Sequence, residues 1–137
     1  MSAPLLESGY LVAIRPLGFF RASECVDQDH VRALAERIRT AGCWTHPLPV
    51  EASTGLVMDG NHRLQAAHLL GLVRLPCVPL RYGDPYVEVA CWRTGLPFDI
   101  NAIFAAVQHK RLLPLKSTRH RFDPPLPATQ IEVDLLM

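Results

Sequence analysis

The sequence predicts an α+β fold in a single compact domain over residues 1–137, with a small mixed sheet and three main helices. Its 137 residues are enough for one domain with a sizeable core. Hydrophobic residues make up 49% of the chain and charged residues 20%, proportions typical of a globular protein rather than a disordered one. Apolar runs of strand length also alternate with three segments whose apolar residues recur at helical spacing. We expect a core over about residues 10–122 and a proline-rich tail over 123–137.

The elements of the first half are predicted from apolar runs and from the residues that end them. Asp27 is a favourable N-cap and Gly42 a favourable stop for a helix whose apolar residues recur every three or four positions. Residues 52–55 form a turn of hairpin length between two short strands. In chain order, the predicted elements are a strand over Tyr10–Ile14, a loop over Arg21–Val26, a helix over Gln28–Thr40, and strands over Pro47–Glu51 and Leu56–Met58.

The second half is predicted to contain two helices and further strands. Pro76 and Pro79 put the strand that contains them at an edge of the sheet or limit its pairing, because proline has no N–H to donate. Asp99 or Asn101 is the expected N-cap of the last helix. In chain order, the predicted elements are a helix from Asn61 to Gly71, strands over Leu75–Tyr82 and Tyr86–Trp92, a helix to Lys110, a loop over Leu115–His120, and a candidate closing strand over Ile131–Leu136.

Charge and cysteine usage narrow the function classes. A formal net charge of +1 provides no overall field that attracts nucleic acid or an acidic membrane, so we expect neither as a partner. The N-terminal residues lack the pattern of a signal peptide, and no apolar stretch has membrane-spanning length, which favours the cytoplasm. The four cysteines lack zinc-ligand spacing and are interpreted as reduced thiols. A monomer and a homodimer both fit the sequence.

The most informative stretch is Val57 to Ala67, where an apolar strand end runs into an Asp-Gly turn and then directly into a helix. Amide N–H groups at a helix start lack partners within the helix and favour anions such as phosphate. His62 and Arg63 add donors there, and Asp59 is a natural magnesium ligand. In the plainer alternative, Asp59 only caps the helix and the two basic residues are solvated.

Three other groups of polar residues are candidates for a site. Glu24 lies in a loop just before a helix, where it is either a functional carboxylate or an ordinary solvated one. The segment Lys116-Ser117-Thr118-Arg119-His120 combines hydroxyls with basic side chains and suits a carboxylate or phosphate, unless it is a solvated basic turn. Trp92, at a strand end, either lines a pocket or packs against the core.

These residues together resemble a known family. The Asp-Gly-Asn-His-Arg stretch from Asp59 to Arg63 is similar to the Asp-Gly-His-His-Arg signature of the ParB/sulfiredoxin-like superfamily, and within it to the free-serine kinase branch, which phosphorylates the hydroxyl of free L-serine. The segment 23–27 resembles the segment in which those kinases have an essential Glu. Lys116 to His120 resembles their Lys-x-Thr-Arg-His substrate segment. Three motifs in the right order are more specific than any one of them.

The resemblance implies a role for each matching residue. Glu24 is implied as the general base, and Asp59 as the ligand of magnesium or an assistant to the hydroxyl. His62 is implied to stabilise charge on the transferred group, and the phosphoryl donor is ATP or ADP. The phosphate-binding residues are implied to be Gly60, Asn61, His62 and Arg63. The substrate-binding residues are implied to be Trp92, Lys116, Ser117, Thr118, Arg119 and His120, with Arg119 making a two-point contact with the carboxylate of the amino acid.

The chain departs from the family pattern in two respects. Asn61 occupies the position of the first His, and the stretch before Thr118 is shorter than the helical insertion of the serine kinases. The expected function is transfer of a phosphoryl group from a nucleotide to free serine or a similar small hydroxy acid. The alternative is a nucleotide-binding regulatory or partner-binding module without turnover. Sulfiredoxin chemistry is not expected, because that branch needs a cysteine at the position of Asn61.

Overall fold

A computed structural model describes residues 2–5 and 9–137, and within this part the chain forms three α-helices, a four-stranded mixed sheet and two two-stranded ladders. The predicted domain also includes residues 1 and 6–8, which lie outside the described residues. The helices are α1 (Gln28–Ala41), α2 (Asn61–Leu70) and α3 (Ile100–Gln108). The strands are β1 (Ser2–Leu5), β2 (Leu11–Pro16), β3 (Cys43–Trp44), β4 (Leu48–Glu51), β5 (Arg74–Leu80), β6 (Val87–Cys91), β7 (Thr118–Phe122) and β8 (Ile131–Glu132). The predicted α+β class is confirmed.

Helices α1 and α2 begin and end at the residues that the sequence marks, whereas α3 begins after Asp99 but ends at Gln108, before the expected Lys110. The side chain of Asp27 accepts hydrogen bonds from two backbone N–H groups at the start of α1, and that of Asp99 accepts one, from Asn101, at the start of α3. Gly42 and Gly71 end α1 and α2 in the left-handed conformation, at φ values of 70° and 75°. Glycine adopts this conformation without the steric cost of a side chain, so the predicted stops are confirmed.

The main sheet has the strand order β1-β2-β5-β4, in which β2 is antiparallel to β1 and β5, and β4 is parallel to β5. The predicted edge position of the strand with two prolines is therefore wrong, because β5 has a neighbour on each side. Its pairing is limited instead. Residues 74–77 pair with β2 and residues 77–80 pair with β4, so Pro76 and Pro79 each lie beside only one neighbour.

Three other predicted segments differ from the structure, and β1 and β3 are strands that the sequence does not predict. Residues 115–120 are not simply a loop, because Thr118–Phe122 forms β7 and pairs with β6 over five positions. Leu56–Met58 forms isolated bridges to Arg21 and Val50 instead of a continuous strand. The closing strand is only Ile131–Glu132, followed by a 3-10 helix over Val133–Leu136. The partners of β7 and β8, and the bridge from Leu56 to Arg21, come from segments that are distant in sequence.

The hydrophobic core lies between the main sheet and helices α1 and α2. Trp44, Leu64 and Leu75 are at most 2% exposed, and Trp44 satisfies its indole N–H by donating to the carbonyl oxygen of His46 at 2.7 Å. Leu136 from the predicted tail is buried in the same cluster. The tail therefore packs against the core. Among the described residues, no helix combines the length and apolar character that crossing a lipid bilayer requires.

The turn at Gly55 generates a stability prediction. A Cβ at Gly55 would lie 1.9 Å from the carbonyl oxygen of Phe19, and the φ of Gly55 is +75°. We expect Gly55→Ala to lower the free energy of unfolding by about 3 kcal/mol, because the clash is with backbone and adds to the strain of a left-handed residue. Gly95→Ala is the matched control. Gly95 has a φ of +71° and open space around its Cβ position, so its substitution should cost about 1 kcal/mol. Equal losses in denaturant titrations would contradict the clash.

Candidate active site

A cleft of about 640 Å³ lies where the loop before α1, the start of α2 and the start of β7 meet. All three segments singled out in the sequence contribute to it. The predicted site residues that line the cleft are Glu24, Asp59, Gly60, Asn61, His62, Arg63, Trp92, Lys116, Thr118, Arg119 and His120. Ser117 is not among the lining residues, and its hydroxyl donates instead to the carbonyl oxygen of Pro114 at 2.6 Å. The fold thus brings together every predicted site residue except Ser117.

The start of α2 has the form of an anion site. Gly60 is its N-cap, with a φ of 100°, and no side chain caps the helix. The alternative in which Asp59 caps α2 is therefore wrong. A Cβ at Gly60 would lie 2.6 Å from Cδ2 of Leu48, so glycine suits both the backbone angle and the space. The first turn of α2 lines the cleft, and uncapped amide N–H groups at a helix start favour a phosphate or carboxylate.

The side chain of Asn61 is engaged within the protein. Its Oδ1 accepts hydrogen bonds from the backbone N–H of Ser23 at 2.9 Å and of Glu24 at 3.3 Å. Its Nδ2 donates to Oγ of Ser23 at 3.1 Å, and that hydroxyl in turn donates to the carbonyl oxygen of Val57 at 2.7 Å. Only the backbone N–H of Asn61 is therefore left to bind a phosphate. Phosphate binding by Asn61 stays a prediction.

His62 connects the starts of the two long helices. Its Nε2 accepts a hydrogen bond from the backbone N–H of Asp27 at 3.1 Å, and its ring contacts that of His30 with centroids 4.3 Å apart. Burial, followed by the charge of His30, holds the pKa of His62 below its usual value. An accepting Nε2 requires the proton to be on Nδ1, so His62 is a neutral donor rather than a cation.

Arg63 provides positive charge between two cavities. Burial lowers the pKa of its guanidinium and the neighbouring Asp59 carboxylate opposes that effect, but arginine remains charged at any physiological pH. A second cavity, of about 330 Å³, shares Leu34, Arg37 and Arg63 with the cleft. Its other walls include Ile38 and the buried Trp44. The cleft therefore adjoins a smaller and more apolar cavity beside α1.

Glu24 is held in place from both sides. The backbone of its loop bonds to Leu113, whose N–H donates to the carbonyl oxygen of Ser23 and whose own carbonyl accepts from the N–H of Cys25. Oε2 of Glu24 accepts hydrogen bonds from both the backbone N–H of Thr118, at 3.1 Å, and the hydroxyl of Thr118. Glu24 is thus not an ordinary solvated carboxylate. It is a positioned group at the junction of two motifs.

The start of β7 presents one cation and one neutral histidine to the cleft. The guanidinium of Arg119 lies over the ring of Trp92, 5.1 Å from its centroid, in a cation–π contact. His120 has its Nε2 2.8 Å from the hydroxyl of Tyr82, and its buried Nδ1 has no hydrogen-bond partner among the residues that the structure describes. Burial lowers the pKa of His120 to about 4. His120 is therefore neutral near pH 7.

Several residues of the cleft were not found from the sequence. His30, Leu34 and Arg37 line it from α1, and their spacing of four and three residues could have indicated one helix face. Tyr82 bonds to His120 across 38 residues of chain, and no local pattern marks that contact. Among the described residues, no group of three or more metal-ligating side chains forms a metal site.

The chain is similar to curated proteins named ATP-dependent L-serine kinase, whereas no protein-family model matches it. The protein from Desulfurococcus mucosus is 28% identical over 93 residues, which are 65% of this chain and 36% of that protein. The protein from Staphylothermus marinus is 29% identical over 82 residues, which are 57% of this chain and 32% of that protein. The matched part of the chain thus spans only about a third of the length of these curated relatives.

Solved structures of free serine kinase share the fold. One in complex with AMP matches with a TM-score of 0.83 and 13% identity, covering 98% of this chain and 96% of that chain. A variant in complex with ADP matches with a TM-score of 0.82 and 13% identity, covering 92% of this chain and 94% of that chain. At such low identity the likeness is one of fold. Together with the curated relatives, it confirms the resemblance to the free-serine kinase branch.

The neutral His120 predicts a loss of stability in acid. The pKa of His120 is 6.5 in the unfolded chain and about 4 in the folded protein. Between these values the unfolded chain binds a proton that the folded protein does not bind, so the free energy of unfolding should fall by about 3 kcal/mol as the pH drops from 6.5 to 4. His120→Phe should remove this part of the pH dependence in urea titrations. His109→Gln, at an exposed position, should retain it, and an unchanged acid loss in His120→Phe would refute the assignment.

Proposed function

We propose that this protein is a kinase that transfers the terminal phosphoryl group of ATP to the hydroxyl of a small hydroxy amino acid, with free L-serine as the first candidate. The observation that carries the proposal is the convergence of Glu24, the uncapped first turn of α2 and Arg119 on one cleft. A base, an anion site for the donor and a cation for the acceptor are the groups that this reaction needs. The similarity to ATP-dependent L-serine kinases supports ATP and serine.

The proposed reaction is a single phosphoryl transfer. The carboxylate of Glu24 accepts the proton of the acceptor hydroxyl, and the hydroxyl oxygen forms a bond to the γ-phosphorus. The bond from that phosphorus to the bridging oxygen breaks, and its electron pair stays with ADP. Glu24 then releases its proton to solvent. The contacts of Thr118 support this role, because they occupy Oε2 of Glu24 and leave Oε1 to take the proton.

The donor phosphates are proposed to bind at the first turn of α2. The backbone N–H groups of Asn61, His62 and Arg63, the positive end of the helix and the guanidinium of Arg63 all favour an anion there. Neutral His62 contributes a hydrogen-bond donor at Nδ1. The smaller cavity beside α1 supports a site for the nucleoside, because it is partly apolar and continuous with this corner through Leu34 and Arg37. ADP is the second donor to be tested.

Magnesium fits the side chains at this corner. Magnesium is usually bound by one or two carboxylates together with substrate phosphates, rather than by a cage of protein ligands. Asp59 is exposed beside the first turn of α2 and is the carboxylate that we propose for this role. When bound with the nucleotide, the ion neutralises phosphate charge during transfer.

The acceptor is proposed to bind at the start of β7. Arg119 is oriented by its contact with Trp92 and suits a two-point contact with a carboxylate. Lys116 adds a second cation, and His120 also lines this part of the cleft. The hydroxyl of Thr118 donates to Glu24, so we propose that Thr118 acts mainly through that carboxylate.

The cellular setting is also a proposal. The four cysteines are free thiols, which supports a reducing compartment such as the cytoplasm, where ATP is abundant. The expected absence of nucleic-acid and membrane partners, and the choice between monomer and homodimer, stay predictions. The alternative function is a nucleotide-binding regulatory module of the same superfamily, which would bind ATP without turnover.

A product assay with a Glu24 variant tests the kinase proposal. The protein is incubated with magnesium, ATP or ADP, and a panel of hydroxy acids, and phosphorylated product is measured by mass spectrometry. We expect product from serine or a close analogue. Glu24→Gln should lower turnover by about 10²- to 10⁴-fold while ATP still binds, because it removes only the base.

Glu88→Gln is the control, since Glu88 is an exposed carboxylate on β6 that does not line the cleft. It should retain full turnover. Clear ATP binding without product from any acceptor would overturn the kinase proposal and favour the binding module.

The proposed acceptor site predicts a separate kinetic effect. We expect Arg119→Ala to raise the KM for the hydroxy acid by about 10- to 100-fold, with little change in the Kd of ATP, because it removes a charged partner of the carboxylate. Arg121→Ala is the matched control, since Arg121 is an exposed arginine two residues further along β7 and does not line the cleft. Equal effects of the two substitutions would rule out a specific contact at Arg119.

A further inference from the structure

The side chain of Asn61 stands apart from the groups that face the substrates, because it is 8% exposed and its hydrogen bonds are to the protein. We propose that Asn61 is a positioning residue, whose amide holds the loop of Glu24 against the first turn of α2. The inference rests on the proposed function and extends it, because it gives Asn61 a role through the base rather than through phosphate binding.

The contacts of the amide are directed at the backbone of that loop. Oδ1 accepts from two consecutive backbone N–H groups, those of Ser23 and Glu24. Two adjacent amides that point at one oxygen fix the orientation of the peptide unit between them. The Cα of Glu24, and hence the origin of its side chain, is therefore located with respect to α2.

The second half of the amide completes the connection. Oγ of Ser23 gives its one hydrogen to the carbonyl oxygen of Val57, so it can only accept from Nδ2 of Asn61. A carboxylate at position 61 would lack the required donor, and the acceptor nitrogen of a neutral imidazole has one lone pair, whereas Oδ1 accepts two hydrogen bonds here. An amide supplies both an acceptor and a donor within one short side chain, and this chemistry matches the surroundings of Asn61.

Asn61 thereby connects the proposed phosphate site with the loop of the proposed base. Its backbone N–H belongs to the uncapped turn proposed for the donor phosphates, while its side chain holds the loop of the proposed base. Glu24 is also held by Thr118 at its carboxylate, so loss of Asn61 would free the base at one end only. A displacement of the base by about 1 Å is enough to lower the rate of a positioned reaction by about 100-fold.

A double-mutant cycle tests the role of Asn61. In the wild-type background, Asn61→Ala should lower kcat by about 10- to 100-fold and change the Kd of ATP by less than about threefold. In the Glu24→Gln background, the same substitution should lower the residual kcat by less than about threefold, because the group that it positions is already absent. Equal factors in the two backgrounds would overturn the proposal.

Two controls separate positioning from general stability. Ser23→Ala removes the contact with Nδ2 but keeps both backbone bonds to Oδ1, so it should destabilise the protein and leave kcat within about threefold of wild type. If Asn61→Ala does not fold, Asn61→Ser serves in the same cycle, since it leaves a hydroxyl and room for a water. The proposal requires the same non-additivity from Asn61→Ser.

Hydrogen exchange gives a readout that does not depend on turnover. The backbone amides of Ser23 and Glu24 should be protected in the wild-type protein and should exchange at least about tenfold faster in Asn61→Ala. Unchanged protection would refute the connection itself. If exchange is faster in Asn61→Ala but the wild-type protein makes no product, the connection is confirmed, and the proposed function is overturned together with the catalytic part of this inference.

Discussion

The arrangement of the cleft depends on the hydrogen bonds that hold the loop of Glu24 between two distant parts of the chain. The amide oxygen of Asn61, 37 residues from Glu24, accepts a hydrogen bond from the backbone N–H of Glu24. Thr118, 94 residues from Glu24, donates to its carboxylate from both the backbone and the hydroxyl. These bonds bring the predicted base, the start of α2 and the start of β7 to one place.

The charge of the cleft follows from which of its polar groups are buried. Burial holds the pKa values of His62 and His120 below the usual range, so neither ring contributes a positive charge near neutral pH. The arginine and lysine side chains that line the cleft are Arg37, Arg63, Lys116 and Arg119. A chain with a formal net charge of +1 can therefore still offer a local anion site. The site depends on the placement of a few cations, not on the overall field.

Local sequence patterns predicted the helices better than the strands. The caps at Asp27 and Asp99 and the glycine stops act within one turn of chain, so the sequence contains all the interacting groups. A strand is completed by a partner that lies elsewhere. The sequence predicts a loop over Leu115–His120, although Thr118 to His120 begin β7, because the pairing of β7 with β6 is not visible locally. For the same reason, the edge position that the two prolines predict for β5 is wrong, because β5 pairs with β2 and with β4.

The sequence alone determined the helix ends, the glycine turn before α2, and the three motifs whose order matches the free-serine kinase branch. These features are set by backbone angles and by residues that are close in sequence. Only the tertiary structure decided the use of each side chain. It directed Asn61 toward the loop of Glu24, turned Ser117 away from the cleft and buried His120 against Tyr82. The physical reason is that burial and hydrogen-bond partners come from segments tens of residues apart, which meet only when the core has formed.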